Sequence, residues 1–354
     1  MIPAFPPLVF EPLYRSYLWG GRGLASKLGK NLPAEGIWAE SWEVVDHPQG
    51  QSVVKNGHWQ GWTLGRLLSE HREAILGQKS QVCLEGTAGG PHVSRFPLLL
   101  KYLDCQNVLS VQVHPDDAYG RQMASPDLGK TEAWYIIDAE PGSMLYAGLK
   151  PNVSRKDLAD AIQAGKTEEC LHAICPQAGD CIFIPAGTVH ALGAGLLVAE
   201  IQQASDCTFR LYDWNRVDVA GKSRPLHIEQ ALEVIDYEQG PIERISARQI
   251  PQRDTPEQAV SERSVSELGP QELVDCDKFR LVRFDRPSRY VLDLPTCRIV
   301  TVPKGTATIE TGYGSIELSA GDSALIPQAC SQASLVVGSD TTVLAAEPVF
   351  GLVG

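Results

Sequence analysis

The sequence predicts a mainly β protein made of two barrel- or sandwich-like units with a few added helices. Three observations carry that expectation. Short apolar segments punctuated by glycine and proline fill most of the chain, only two stretches have helical spacing, and one strand-turn-strand frame occurs twice. The repeated frame is A-G-D-x-x-x-I-P, in AGDCIFIPAGTVHAL (178–192) and AGDSALIPQACSQAS (320–334). A turn on Gly-Asp, a buried apolar strand and a proline that stops the ladder account for the shared letters. Its recurrence on either side of a polar, strand-poor stretch predicts two related units. We therefore expect a first domain over residues 1–240, a linker over 241–267 and a second β domain over 268–354. Where the first copy has His190 the second has Gln332, so metal chemistry in the first copy would be absent from the second.

The helical stretches follow from spacing and caps. From Thr63 to Leu76, Leu64, Leu67, Leu68 and Ile75 can share one face. From Ser154 toward Ala164, Ser154 and Asp157 form a capping pattern ahead of Leu158, Ala161 and Ile162, and Gly165 ends the helix.

Bulk composition narrows the functional classes. The 354 residues are 43% hydrophobic and 21% charged, ordinary for a globular chain with ample material for a core. A net charge of −12 argues against nucleic acid as the main partner, because a phosphate backbone calls for a concentrated Lys/Arg surplus. A local cationic pocket is compatible with that balance. No stretch approaches the ~18 apolar residues of a membrane span, and MIPAFPPLVFEP lacks the basic start and apolar run of a signal peptide. A cytoplasmic location without membrane association is the expectation. The nine cysteines include no C-x-x-C pair, which speaks against a disulfide framework or a zinc ribbon. Cys170, Cys175 and Cys181 cluster at spacings that match no ligand pattern and are read as small buried apolar residues.

SVQVHPDD (110–117) holds the first chemical signal. Alternate side chains of a strand share a face, so Ser110, Gln112 and His114 point one way while Val111 and Val113 point the other. The valines suit a packing face, Pro115 ends the strand, and Asp116 and Asp117 are read as turn formers. Alone, Q-x-H is a weak metal signal. LGKTEAWYII (128–137) adds Glu132 at the head of an apolar strand, and PAGTVHAL (185–192) adds His190 just past a Pro-Gly corner. Two imidazoles, a carboxylate and the Gln112 amide oxygen suit Zn2+, or another divalent ion such as Mn2+ or Fe2+, with a position left for water or substrate. Three separated segments can converge at the mouth of a β-barrel. His47, His58, His71, His92, His172 and His227 share no strand face with a second donor and are read as structural.

Taken with LWGG (18–21), ESWEV (40–44), FPLLLKYLD (96–104) and SDCTFRLYDWNR (205–216), these motifs make the chain resemble the type I phosphomannose isomerases, zinc enzymes of the cupin fold. The likeness runs in matching order through the first half and weakens after Asp236. It implies two cupin-like β-barrel or jelly-roll units, a bicupin, and one Zn2+ per chain on Gln112, His114, Glu132 and His190. It also implies an active-site Arg210, pocket lysines Lys101 and Lys130, and further polar positions at Glu200 and Asp206. The implied reaction interconverts mannose 6-phosphate and fructose 6-phosphate. Long members of the family carry a helical domain between the zinc-binding Glu and the last His; here about 58 residues separate Glu132 from His190. The chain therefore matches a short form that lacks one wall of the long-form cleft.

Such an isomerisation moves a proton between C2 and C1 while negative charge develops on oxygen, which calls for a positive group close by. With Glu132 committed to the metal, the proton carrier is expected elsewhere, Glu200 ahead of Lys130. Arg210, Lys101 and Lys130 would take the dianionic phosphate. The plainer roles are an ion pair of Arg210 with Asp213 or Asp206 and solvated surface positions for the lysines. Two rival readings are a non-haem Fe(II) oxygenase, from the two imidazoles and a carboxylate, and a non-catalytic sugar-phosphate-binding cupin. The Gln112 donor and the cationic set weigh against the first, and the intact Arg210 and Lys130 against the second. The expected partner is a small sugar phosphate, and the expected assembly a monomer or weak homodimer.

Overall fold

The computed structural model describes residues 5–78, 95–217, 221–249, 269–330 and 332–350. It is mainly β and its sheets are antiparallel. Six strands in the order Cys181–Ile184, Glu132–Ala139, Leu196–Gln203, Leu98–Cys105, Glu40–Val44 and Leu13–Arg15 form one sheet. Five more, Leu171–Ile174, Leu145–Leu149, His190–Leu192, Val111–Val113 and Phe209–Tyr212, form the sheet that faces it. Between them Trp134, Ile136, Val198 and Leu103 meet Leu145, Ala147 and Leu192. An eight-stranded and a four-stranded sheet enclose a second core, where Val300, Val302 and Ala345 pack on Ile309, Leu335 and Val337.

Strand alternation ties these layers into one stack. Leu100, Tyr102, Tyr135 and Ala199 leave the back of the six-stranded sheet and pack with Phe279, Leu281, Ile299 and Leu344 of the eight-stranded one. Phe183 meets Phe279 edge-on with ring centres 6.4 Å apart, and Arg283 Nη1 donates to the Gly179 carbonyl at 3.1 Å. Leu8–Glu11, at the start of the chain, pairs with Ser323–Ile326 near its end, so the eight-stranded sheet draws strands from both.

The repeated frame folds the same way twice. Gly179 and Gly321 have φ of 94° and 88°, a backbone region that favours glycine. Asp180 accepts from the Gln177 amide at 2.8 Å, and Asp322 accepts from the Ser319 amide at 2.9 Å. The strands that follow, Cys181–Ile184 and Ser323–Ile326, lie in the larger sheets, and the return strands His190–Leu192 and Ser334–Val337 cross to the smaller ones. His190 is buried whereas Gln332 is exposed.

Both expected helices are present. Leu64–Leu76 is capped by Thr63, and Arg155–Gln163 by the reciprocal Ser154/Asp157 box. Gly23–Leu28, Asp117–Gln122 and Ile228–Val234 are helices too short to show a period in the sequence. The two aspartates after Pro115 thus open a helix, not only a turn: Asp116 accepts from the Tyr119 amide at 2.8 Å. The expected linker contains a short strand, Arg248–Gln249, paired with Gln271–Asp275; its residues 250–267, like His92, lie outside the described residues. Cys170 and Cys181 are buried as expected, but Cys175 is exposed. Among the described residues no helix is long and apolar enough to cross a membrane.

Because the largest core is shared by both pairs of sheets, the described chain should unfold as one cooperative unit. Phe279→Ala is expected to remove about 3–5 kcal/mol and lower a single thermal transition. A transition that splits in two, with one half at the wild-type temperature, would contradict a shared core.

Candidate metal centre and cleft

The facing sheets place the functional side chains by register. Gln112 lies opposite His190 on one side and opposite Arg210 on the other. Directly opposed residues share a face, so these three form a row turned away from Val111 and Val113, which pack beneath the helices. On the six-stranded sheet Trp134, Glu200 and Lys101 form one row, and Glu132 with Gln202 belongs to the next.

Three chain segments are locked together where the Gln112 strand ends. The His114 carbonyl accepts from the Gly187 amide at 2.8 Å, the Pro115 carbonyl from the Lys130 amide at 2.9 Å, and Thr131 Oγ1 from the Ala186 amide at 3.2 Å. Gly129 permits the approach: a Cβ there would sit 2.4 Å from the backbone of Asp116 and Asp117. Any larger residue would push Lys130 and Glu132 away from His114.

His114, Glu132 and His190 bring their donor atoms within 4.8 Å of one another, all buried. Glu132 Oε2 is 3.5 Å from His114 Nε2, and Oε1 is 3.4 Å from His190 Nε2. Each ring donates Nδ1–H to a backbone carbonyl at 2.8 Å, His114 to Cys207 and His190 to Thr188. Both Nε2 lone pairs therefore point toward Glu132. Burial, helped by the charge on Lys130, keeps the rings neutral, His114 well below its usual value and His190 at about 3. Burial and the charge of Glu200 push Glu132 up to about 7.

Among the described residues Glu132 Oε1 has no hydrogen-bond partner. Lys130 Nζ, 2.9 Å from His114 Nε2 and paired with Glu132 Oε2, supplies positive charge to the other two donors. The Gln112 amide lies 3.3 Å from His190 Nε2, and a half-turn about its last bond exchanges nitrogen for oxygen. Neutral imidazoles, a carboxylate with an unmet oxygen and an adaptable amide fit a divalent cation.

Beside this centre, buried charges alternate. Glu40, Lys101, Glu200 and Lys130 are spaced at 3.8, 3.2 and 3.4 Å, and Lys130 reaches Glu132. Burial alone would raise Glu200, but Lys101 and Lys130 outweigh it and hold the carboxyl at about 2. Burial would lower Lys101, and Glu200 with Glu40 reverses the sign. The two lysines are therefore not solvated surface cations.

Gln112, Lys101, Lys130, Glu200, Asp206 and Arg210 line one cleft of about 300 Å³, with the His114–Glu132–His190 group next to Gln112 and Lys130. Arg210 pairs with neither Asp213 nor Asp206; its Nε donates to Ser110 Oγ at 3.1 Å and its Nη1 to the Pro225 carbonyl at 3.0 Å. Asp213 is instead held by Arg216 and Arg224. Asp206 is exposed at the rim. Further lining residues that escaped the sequence reading include Trp19, Glu40, Arg224 and His227. His227, read as structural, accepts the Arg210 amide on Nδ1 at 3.3 Å. Glu40 left a trace as a charge in a short apolar-aromatic strand, whereas Arg224 sits in a polar loop with no pattern to mark it.

Comparison with known proteins adds a family context. The profile of the phosphomannose isomerase type I catalytic domain matches residues 8–147. Over 235 residues the chain is 41% identical to the mannose-6-phosphate isomerase ManA of Bacillus subtilis, spanning 66% of this chain and 70% of that protein. Over 229 residues it is 41% identical to the mannose-6-phosphate isomerase of Streptococcus mutans, spanning 65% and 67%. A crystal structure of a mannose 6-phosphate isomerase from Bacillus subtilis superposes with a TM-score of 0.81 at 29% identity, covering 97% of this chain and 100% of that one. A variant of the phosphomannose isomerase from Salmonella typhimurium shares the fold, with a TM-score of 0.72 at 15% identity and coverage of 97% and 100%.

The rim beside Asp206 depends on Asp127, which accepts from His47 Nε2 at 3.3 Å and the Asp206 amide at 3.2 Å and pairs with Arg95. Burial would raise this carboxyl, but His47 and Arg95 hold it at about 2, below its ordinary 3.8. A depressed folded-state value adds stability that is full above the unfolded value and is lost as the pH falls through the folded one. Asp127→Asn should therefore cost on the order of 2 kcal/mol in urea unfolding near pH 6, with the gap to wild type closing between about pH 4 and 2. A gap that does not change with pH would remove Asp127 from this role.

Proposed function

The chain belongs to the type I phosphomannose isomerases, and from that premise we propose that it interconverts mannose 6-phosphate and fructose 6-phosphate with one zinc ion on Gln112, His114, Glu132 and His190. The unmet Glu132 Oε1, beside two neutral imidazoles that donate from Nδ1 and so keep Nε2 unprotonated, is the observation that supports the metal. Imidazole nitrogens favour zinc over the harder magnesium or calcium. The bound ion supplies Lewis-acid stabilisation of the negative charge that develops on the sugar oxygens.

The chain's own residues divide the remaining work. Glu200 faces the cleft between Trp134 and Lys101 and is kept ionised, in the form a base requires. We assign it the proton removed from C2 of the open-chain aldose and returned to C1; with the hydroxyl proton passing from O2 to O1, the carbonyl moves from C1 to C2 with no net proton change. Lys130, between Glu200 and Glu132, is positioned to steady the enediolate oxygens. Three carboxylates already engage Lys101 and Lys130, so the phosphate is assigned to Arg210, whose Nε and Nη1 are fixed and whose Nη2 is uncommitted among the described residues. Asp206 at the rim suits a sugar hydroxyl. Free cysteines, eight among the described residues, support a reducing, cytoplasmic setting. The oxygenase and binding-only readings give way to the family membership.

Purified protein should carry about one zinc ion per chain, and His190→Ala should lose both the ion and turnover. Metal-stripped protein that keeps full activity would end the zinc reading, and a coupled assay with no turnover of mannose 6-phosphate by the zinc-loaded enzyme would end the isomerase reading. Glu200→Gln should keep its zinc and lose about 10²- to 10⁴-fold in kcat; a kcat within tenfold of wild type would exclude Glu200 as the proton carrier.

A further inference from the structure

We propose that a second cavity, built between the first strands of the chain and the turn of the second Gly-Asp frame, is a binding site for a neutral pyranose sugar. It shares no lining residue with the cleft, and the proposal does not depend on the isomerase reading. The cavity measures about 480 Å³ against about 300 Å³ for the cleft, within the range of small-molecule sites. Residues 9–14 form one wall, the end of the Gly23–Leu28 helix a second, and the frame turn at 319–323 a third. Close packing sets the walls: a Cβ on Gly321 would sit 2.2 Å from the Leu28 carbonyl oxygen.

A buried ion pair lines this cavity. Ser41 lies opposite Tyr102, so Ser41 and Glu43 leave the six-stranded sheet on its back, away from the cleft that Glu40 lines. Glu43 Oε1 meets Lys30 Nζ at 2.6 Å and accepts from Ser41 Oγ at 2.5 Å; the side chains of Lys30 and Glu43 are only 8% and 5% accessible. Lys30 Nζ also stands over the Tyr102 ring, 5.3 Å from its centre. Charged groups so far out of water need directional hydrogen-bond partners.

Charge decides the class of ligand. Glu11, Glu43 and Asp322 stand against Lys30 and Lys55, which leaves one negative charge and disfavours an anion such as phosphate. The carboxylates do not converge on a cation either: among the described residues, His114, Glu132 and His190 are the group of acids, imidazoles or thiols close enough to hold one. A neutral ligand remains, and the lining offers it both donors and acceptors. Burial, with Glu43 and Glu11, pushes the Tyr14 hydroxyl up to about 12 and so keeps it protonated. Sugar hydroxyls donate and accept alike, and the aromatic body of Tyr14 suits the C–H face of a pyranose.

The test titrates methyl α-mannopyranoside and methyl α-glucopyranoside, locked rings without phosphate, into the zinc-loaded full-length protein by calorimetry. The titration is repeated in an equilibrated mixture of mannose 6-phosphate and fructose 6-phosphate. At least one glycoside should bind saturably with a Kd of about 0.1–10 mM, changed less than about twofold by the phosphorylated sugars. Displacement by them would place the ring in the cleft and overturn the proposal, as would no saturable binding of either glycoside up to about 100 mM. Glu43→Gln should weaken binding about tenfold, and Asn31→Ala, at an exposed position, about threefold or more. Glu200→Gln, on the other side of the sheet, should leave it within about twofold. Should Glu43→Gln not fold for want of a partner to Lys30, Asn31→Ala and Tyr14→Leu are the reading variants. Wild-type affinity in the folded variants would overturn the site. Binding that meets these marks in a protein with no isomerase turnover would leave this site standing while the isomerase reading fell.

Discussion

The site depends on a line of alternating charges buried between two sheets. Glu40, Lys101, Glu200, Lys130 and Glu132 follow one another where almost no surface is exposed, Glu132 and Glu200 being 1% and 3% accessible. Taking one such ion out of water costs several kcal/mol even after relaxation, so each persists only through its neighbours. Three carboxylates and two ammonium groups leave one negative charge, and the line ends at Glu132. There burial raises the carboxyl, and two neutral imidazoles offer lone pairs and no charge. A divalent cation is the group that completes such a set. The same arrangement explains why the lysines make poor anchors for a substrate anion: their charge is already used to hold the carboxylates in place.

Holding five charges in register requires rigid strands, and the second pair of sheets supplies the backing. Lys101 and Tyr102 are neighbours on one strand and so face opposite ways. Lys101 enters the cleft, while the Tyr102 hydroxyl reaches Thr301 of the eight-stranded sheet. Each cleft-facing row of the six-stranded sheet thus alternates with a row embedded in the shared core. The second copy of the Gly-Asp frame keeps its turn, its aspartate cap and its crossing strand, yet an exposed Gln332 stands where the first copy buries His190. What the two copies share is the backbone path, which serves packing; the imidazole belongs to the first alone.

Much of this was readable from strand periodicity and turn chemistry. A period of two orients Gln112 and His114 without further information, and the registers place His190 and Arg210 on either side of Gln112. Gly129 is in the sequence only a letter of a motif; in the fold its missing Cβ leaves room for the backbone of Asp116 and Asp117. The burial of Lys101 and Lys130 was not readable, because a lysine on a strand serves equally well in solvent. Nor was Arg224, whose place is set by a loop returning past Asp213, a long-range event with no periodic signature. The short helices escaped for a related reason: six or seven residues are too few to establish a 3.6-residue period.

Separating the two ends of the cleft has a mechanistic consequence. The inner end is rich in charge but internally paired, so it offers a bound sugar oriented groups and little net attraction. The outer end holds the guanidinium groups of Arg210 and Arg224, with Asp206 at the rim. In the proposed reaction, binding energy from a remote phosphate would fix C1 and C2 against Glu200 and Lys130, where the interactions would strengthen only as charge develops. In the proposed reaction a reversed substrate would bring the dianion against Glu200 and Glu132, so the distribution of charge would favour the orientation with the phosphate outward. Arg224 and His227 line the cleft beside Arg210, in the segment whose Pro225 carbonyl holds the Arg210 guanidinium.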